Sequence, residues 1–149
     1  MASTDTVELD EDDRASFLGV GGTGVLSFGT GVGQAPYSLP VSYGYDEASG
    51  AFYFRLGIAA DGEKAGYVED RRPVSLVVHR ETDAGWHSVV ARGQLQEVTE
   101  SGIGSDAMQG LSRVEIPLVD IFDRPTEEIT FRFYRLEPTS VSGRREVPR

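Results

Sequence analysis

The chain has no cysteine, and it carries one lysine against thirteen arginines. The missing thiols exclude disulfides, thiolate metal centres and cysteine nucleophiles, and they leave the redox compartment unreadable. No apolar run approaches the ~18 residues of a bilayer span. The segment "MASTDTVELDEDD" has neither the basic nor the apolar region of a signal peptide. A cytoplasmic protein with no membrane association is therefore expected. Tryptophan occurs once and histidine twice, so imidazole ligation of a metal has only His79 and His87 to draw on. Positive charge is also scarce, with 14 basic residues against 24 acidic ones and a net charge of −10. Such a field disfavours nucleic acid and anionic membranes, but leaves room for a local basic pocket. Acidity with arginine in place of lysine fits a halophilic protein, and fits equally an acidic protein from a GC-rich genome.

What is present reads as one domain. At 149 residues a chain buries enough surface to fold without staples. Residues 1–13 hold six acids and read as a solvated tail, leaving 14–149 as the domain. Asp10 is placed to cap a short helix that carries Ala15, Phe17 and Leu18 and ends at Gly19. Beyond it the period changes to two. Strands are expected over 24–31, 35–45, 51–57, 73–81, 86–98 and 127–138, with "DEASG" (46–50) and "TDAG" as hairpin turns. Pro36 and Pro40 predict an edge or a bulge near Pro40, and Gly93 a bulge or close backbone approach. "PVSLVVHRE" reads as a buried strand, and Ile129, Phe131 and Phe133 as one face of the last strand. Short helices are expected over 61–72 and, weakly, 101–114, with 139–149 as a basic tail. Six strands joined largely by hairpins favour an antiparallel barrel over a doubly wound sheet, and closure removes exposed edges.

Several motifs dissolve on inspection. "GVGGTG" (19–24) matches the dinucleotide fingerprint in letters only, because a helix precedes it and a strand follows. It reads as a flexible turn. Lys64 lacks the glycines and the hydroxyl residue of a P-loop. "DEDD" (10–13) lacks calcium-loop spacing. His79 and His87 have no recognisable third metal ligand, and no nucleophile elbow marks a serine hydrolase. The cations are more informative. Arg55 ends an aromatic strand and Lys64 lies in the loop that follows it. A guanidinium fork and a compact ammonium suit a phosphate. Salt bridging with the many acids is the competing reading for both, and it is preferred for Arg71 and Arg72.

The order of "LPVSY", "AFYFRLG", Lys64 and "WHSVVARGQLQEV" resembles the flavin-binding split-barrel proteins related to pyridoxamine 5'-phosphate oxidase, in particular the nitroimidazole-resistance-like branch. The match runs over residues 15–98, with a weaker echo at 133–145. The resemblance implies a mainly β fold, a six-stranded antiparallel split β-barrel with short flanking helices, assembled as a homodimer with FMN at the subunit interface. It implicates Pro40, Val41 and Ser42 along the flavin ring, Tyr53, Phe54 and Arg55 near the phosphate, Lys64 on the phosphate, Ser88 and Val89 at the flavin, and Arg144 from the C-terminal region. Many members carry histidine where Arg55 stands. The substrate-binding Arg/His motif of true pyridoxamine phosphate oxidases is not evident, so vitamin B6 oxidation is not implied. The resemblance implies an FMN-dependent oxidoreductase acting on a small-molecule substrate or electron donor, with no catalytic side chain named. The alternatives are a non-catalytic binding protein for a flavin, deazaflavin or haem, and a vestigial site in a domain that only dimerises.

Overall fold

The structure, a computed structural model, describes residues 4–58, 66, 71–98, 109–110, 112–116 and 130–148. Along the chain run β1 (Thr4–Glu8), α1 (Glu11–Leu18), β2 (Gly21–Phe28), β3 (Tyr37–Asp46), β4 (Ala51–Ile58), β5 (Pro73–Thr82), β6 (Gly85–Glu97), β7 (Thr130–Leu136) and β8 (Ser140–Pro148). All pairings are antiparallel. Six strands close on themselves in the order β2–β3–β4–β7–β6–β5, with β5 returning to β2. This ring is the expected six-stranded barrel. β8 and then β1 extend it outward from β6.

Alternation fills the interior. Leu26 and Phe28, Val41 and Tyr43, Phe52, Phe54 and Leu56, Val74, Leu76 and Val78, Val89 and Ala91 all point into one core. α1 covers one end of the barrel. Asp10 is its N-cap and accepts from the Asp13 N–H, and Gly19 ends it with positive φ. Two barrel side chains satisfy its last carbonyls: the Tyr43 hydroxyl donates to Leu18 O at 3.0 Å, and Arg80 donates to Phe17 O. Phe17 and Leu18 complete the core from that side.

Gly44 and Gly93 are close approaches rather than flexible points. A Cβ on Gly44 would strike Val114 at 2.5 Å, where residues 112–116 cross the outside of the β3–β4 hairpin. A Cβ on Gly93 would meet Leu136 at 2.9 Å and the Glu137 carbonyl at 3.1 Å, as its place in the strand predicted.

Four expectations need correction. Residues 4–8 form a strand against β8 rather than a solvated tail, although the side chains of residues 5–8 stay exposed. The C-terminal "tail" is β8 itself, held between β6 and β1. β5 is buried on one face only, with Val77 and His79 outward. On β7 the core face carries Tyr134 and Leu136, while Phe133 is 37 % exposed, so the strand is as expected and the face with Phe131 and Phe133 is the outer one. In addition, Gly21–Gly24 lie inside β2 and are not a flexible turn. The helix expected over 61–72 lies outside the described residues apart from Gly66, Arg71 and Arg72, as does most of the one over 101–114.

Candidate functional site

The barrel is split between β3 and β4. Their ladder runs from Asp46↔Ala51 to Tyr43↔Phe54 and stops. Upstream of Tyr43, β3 continues along β2, where Ser42 meets Thr23 and Pro40 meets Val25. Downstream of Phe54, β4 continues along β7, where Arg55 meets Phe133. Among the described strands, Leu39–Ser42 therefore have a neighbour only on the β2 side. Pro40, which lacks an N–H, sits in this half-paired stretch. The prediction of an edge near Pro40 holds locally, inside a strand that is otherwise internal.

Ser42 and Arg55 are the first residues past the end of that ladder, one on each strand. Tyr43 and Phe54 face the core, so both neighbours face outward by the period of two. The Ser42 hydroxyl is buried and has no hydrogen-bond partner among the described residues. Such an orphan costs about 1–3 kcal/mol unless something fills the gap. Arg55 lies over the Phe131 ring at 4.0 Å from its centroid, which stiffens the guanidinium while leaving its N–H groups available. Phe131 was read from the sequence only as part of one face of the last strand. Its position under Arg55 depends on the β4–β7 register, which no local pattern discloses.

The other predicted residues divide by face. Val41, Phe54 and Val89 are core side chains. Tyr53 is fully buried on the outer side of β4, with Gly110 close against its hydroxyl, and that hydroxyl too lacks a partner among the described residues. Burial raises its pKa. Pro40, Ser42, Ser88 and Arg144 share the outer face of the sheet. Ser88 lies opposite Arg144 on one side and His79 on the other. Arg144 reaches Glu8 at 3.9 Å and Thr6 Oγ1 at 3.4 Å. Ser88 and Val89 are paired on both sides, by β5 and β8, so their backbone groups are already engaged. The structure thus brings Ser42 and Arg55 together and sets Ser88 and Arg144 elsewhere on the same outer face. Lys64 lies outside the described residues.

The histidines do not form a pair. His79 shares its face with Ser88 and stacks on Trp86 at 4.6 Å between centroids. His87 shares the opposite face with Arg80 and stacks on Phe17 at 5.4 Å. Beside the split, Asp46 anchors the β3–β4 hairpin. It is 3 % exposed and accepts from Arg113 Nε at 2.9 Å, from its terminal NH2 at 2.7 Å and from the Ser49 hydroxyl at 2.6 Å.

Comparison with known proteins agrees with this architecture. No curated protein matches the chain. Solved structures of similar fold include a FAD-binding protein from Mesorhizobium loti (TM-score 0.67, 19 % identity, 97 % of this chain and 99 % of that one). A FAD-binding protein from Mycobacterium smegmatis gives a TM-score of 0.66 at 14 % identity, over 95 % of this chain and 99 % of that one. A candidate 5-nitroimidazole antibiotic resistance protein from Bacteroides thetaiotaomicron gives 0.62 at 12 % identity, over 97 % and 89 %. The profile of the pyridoxamine 5'-phosphate oxidase family matches residues 10–145, nearly the whole chain, and the protein belongs to that family.

Proposed function

We propose that the protein is a flavoprotein that holds FMN in the split between β3 and β4, as a homodimer, and acts as an oxidoreductase on a small molecule. The observation that carries this reading is the buried Ser42 hydroxyl without a partner, placed beside Arg55 where the ladder opens. The half-paired backbone of Leu39–Ser42 and the Ser42 hydroxyl can satisfy the polar edge of a flat heteroaromatic ring. Arg55, held by Phe131, can take a phosphate oxygen, with Lys64 as the second cation. The fit is therefore good in kind: hydrogen-bonding edge on one side of the opening, cation on the other. The FAD-binding proteins of similar fold support a flavin in general.

A bound flavin supplies two-electron redox chemistry at its ring, and the chain supplies binding, orientation and charge. With a net charge of −10, attraction of a phosphate must be local. Arg55 provides it inside a field that otherwise repels anions.

Dimerisation rests on a second feature. Pro40, Val25, Val77 and Val90 lie side by side across four strands, and Val25 and Val77 are 42 % and 36 % exposed. A continuous apolar row on an outer sheet face suits a second copy of the chain.

The test is the visible absorption spectrum of the purified protein, followed by anaerobic addition of NADPH and NADH. Flavin absorption that bleaches with a reduced nicotinamide supports an oxidoreductase. Flavin that binds but is not reduced supports the non-catalytic alternative. A protein that stays colourless with added FMN overturns the proposal.

A further inference from the structure

On the face of the sheet opposite Ser42, Ser88 and Arg144, three basic residues stand in one row. Arg80 of β5 is directly across from His87 of β6, and His87 is directly across from Arg145 of β8. Directly opposed side chains have Cβ atoms about 4.5–5.5 Å apart. Arg80 and Arg145 thus stand on either side of one imidazole, in a chain with few basic residues. Neither Arg80 nor Arg145 makes an ion pair among the described residues. The row lines a cleft of about 460 Å³ between the sheet and α1, with Phe17 at its base and Asp13 and Ser16 on the helix side. That volume is within the range of small-molecule sites, roughly 300–1,000 Å³.

The groups are oriented before any ligand arrives. Arg80 lies over the Phe17 ring at 4.1 Å and donates to Phe17 O. One edge of its guanidinium is thereby fixed, and a guanidinium has five N–H donors in all. His87 Nδ1 is 3.1 Å from the Gly85 carbonyl and 3.2 Å from Thr82 Oγ1. A carbonyl only accepts, so these partners assign the proton to Nδ1. Nε2 is then the ring's one polar atom without a partner among the described residues. Phe17, stacked with both Arg80 and His87, holds the two heads in place.

We infer that this cleft is a second binding site, taking a small organic anion, a carboxylate or phosphate, between Arg80, His87 and Arg145. The anion accepts from the two guanidinium forks. His87 donates from Nε2 when protonated. Phe17 and Leu9 give the ligand's carbon skeleton an apolar floor, and Ser16 and Asp13 can receive a hydroxyl or amine. The consecutive arginines Arg144 and Arg145 thus serve opposite faces of one sheet. The site is independent of the flavin reading, because it uses neither the split nor its residues.

The chain has only two histidines, and they lie on opposite faces, so His79 is an internal control. The ring signals of both are followed by NMR on the full-length, isotope-labelled protein. Sodium phosphate and sodium benzoate are added separately at constant pH and ionic strength. The expected result is a saturating shift of His87 with His79 unmoved, for at least one probe. A response to phosphate alone assigns the site to phosphates, a response to benzoate alone to carboxylates, and a response to both to either anion. Arg145→Gln should weaken the apparent affinity at least ~10-fold, as loss of a charge-assisted hydrogen bond implies. The site is refuted if neither probe moves His87, or if both histidines drift together without saturation. It is also refuted if a folded Arg145→Gln protein binds as tightly as the parent. The parent titration alone can refute it, so a variant that fails to fold leaves the test intact.

Discussion

Ser42 and Arg55 stand one on each strand at the point where β3 and β4 part: the last paired residues are Tyr43 and Phe54, and the next outward-facing residue on each strand is a hydroxyl without a partner among the described residues or a stacked guanidinium. An opening in a barrel that begins with one buried acceptor-donor and one cation is suited to a ligand with a polar edge and a negative end.

Removing the orphaned hydroxyl separates stability from binding. Ser42→Ala deletes a buried group without deleting a hydrogen bond, so urea unfolding of the flavin-free protein should show stability unchanged or raised by up to about 1 kcal/mol. FMN affinity should fall by several-fold in the same variant. A loss of stability with no loss of affinity would give Ser42 a purely structural place.

The hairpin beside the split is pinned by charge, and its stability should follow pH. The hydrogen bond from Arg113 is the main cause that holds the Asp46 carboxyl at about 2 rather than 3.8, against the opposing effect of burial and with help from Ser49. A depressed acid contributes stability that is complete above its ordinary value and is lost as pH falls from about 4 towards 2. The contribution is about 1–2 kcal/mol, reduced because Arg113 is half exposed to water. Unfolding free energies at pH 6 and pH 3 should differ more for the parent than for Asp46→Asn by about half that amount, because pH 3 is still above the folded value.

Tyr43 ties α1 to the barrel. Tyr43→Phe keeps the buried ring and removes the 3.0 Å bond to Leu18 O. It should cost about 1 kcal/mol in chemical denaturation, with flavin affinity little changed, because the hydroxyl lies at the α1 end of the barrel.

The dimer is tested at the apolar row. Val77→Asp places a charge at a position 36 % exposed in the isolated chain, where a monomer tolerates it. If that face meets a second copy, light scattering should show a dimer in the parent and a monomer in the variant, with bound flavin lost in parallel. A parent protein that is monomeric at all concentrations would remove this part of the proposal.

Legibility in the sequence followed the physics of each element. The six barrel strands carry their burial pattern in period two, and the helix carries its cap, so all seven could be read locally. β1 and β8 could not, because "TDTVE" and "SVSGRREVP" lack a large apolar face and become strands only by pairing with each other and with β6. β7 offers aromatics on both faces, and only its partners β4 and β6 decide which face is inside. At the site, Arg55 and Ser42 were named from the sequence, but their opposition depends on where the β3–β4 ladder stops. The row Arg80–His87–Arg145 is a property of register across three strands, and no linear motif signals it.

The central claim is that the split holds a flavin phosphate through Arg55, and a fluorescence titration of FMN with purified protein, at fixed ionic strength high enough to screen the acidic surface, tests it most directly. The account predicts saturation near one FMN per chain and affinity at least ~10-fold weaker in Arg55→Ala, with a comparable loss in Lys64→Ala. Equal affinity in the parent and both variants, or no saturable binding by the folded parent, would contradict it.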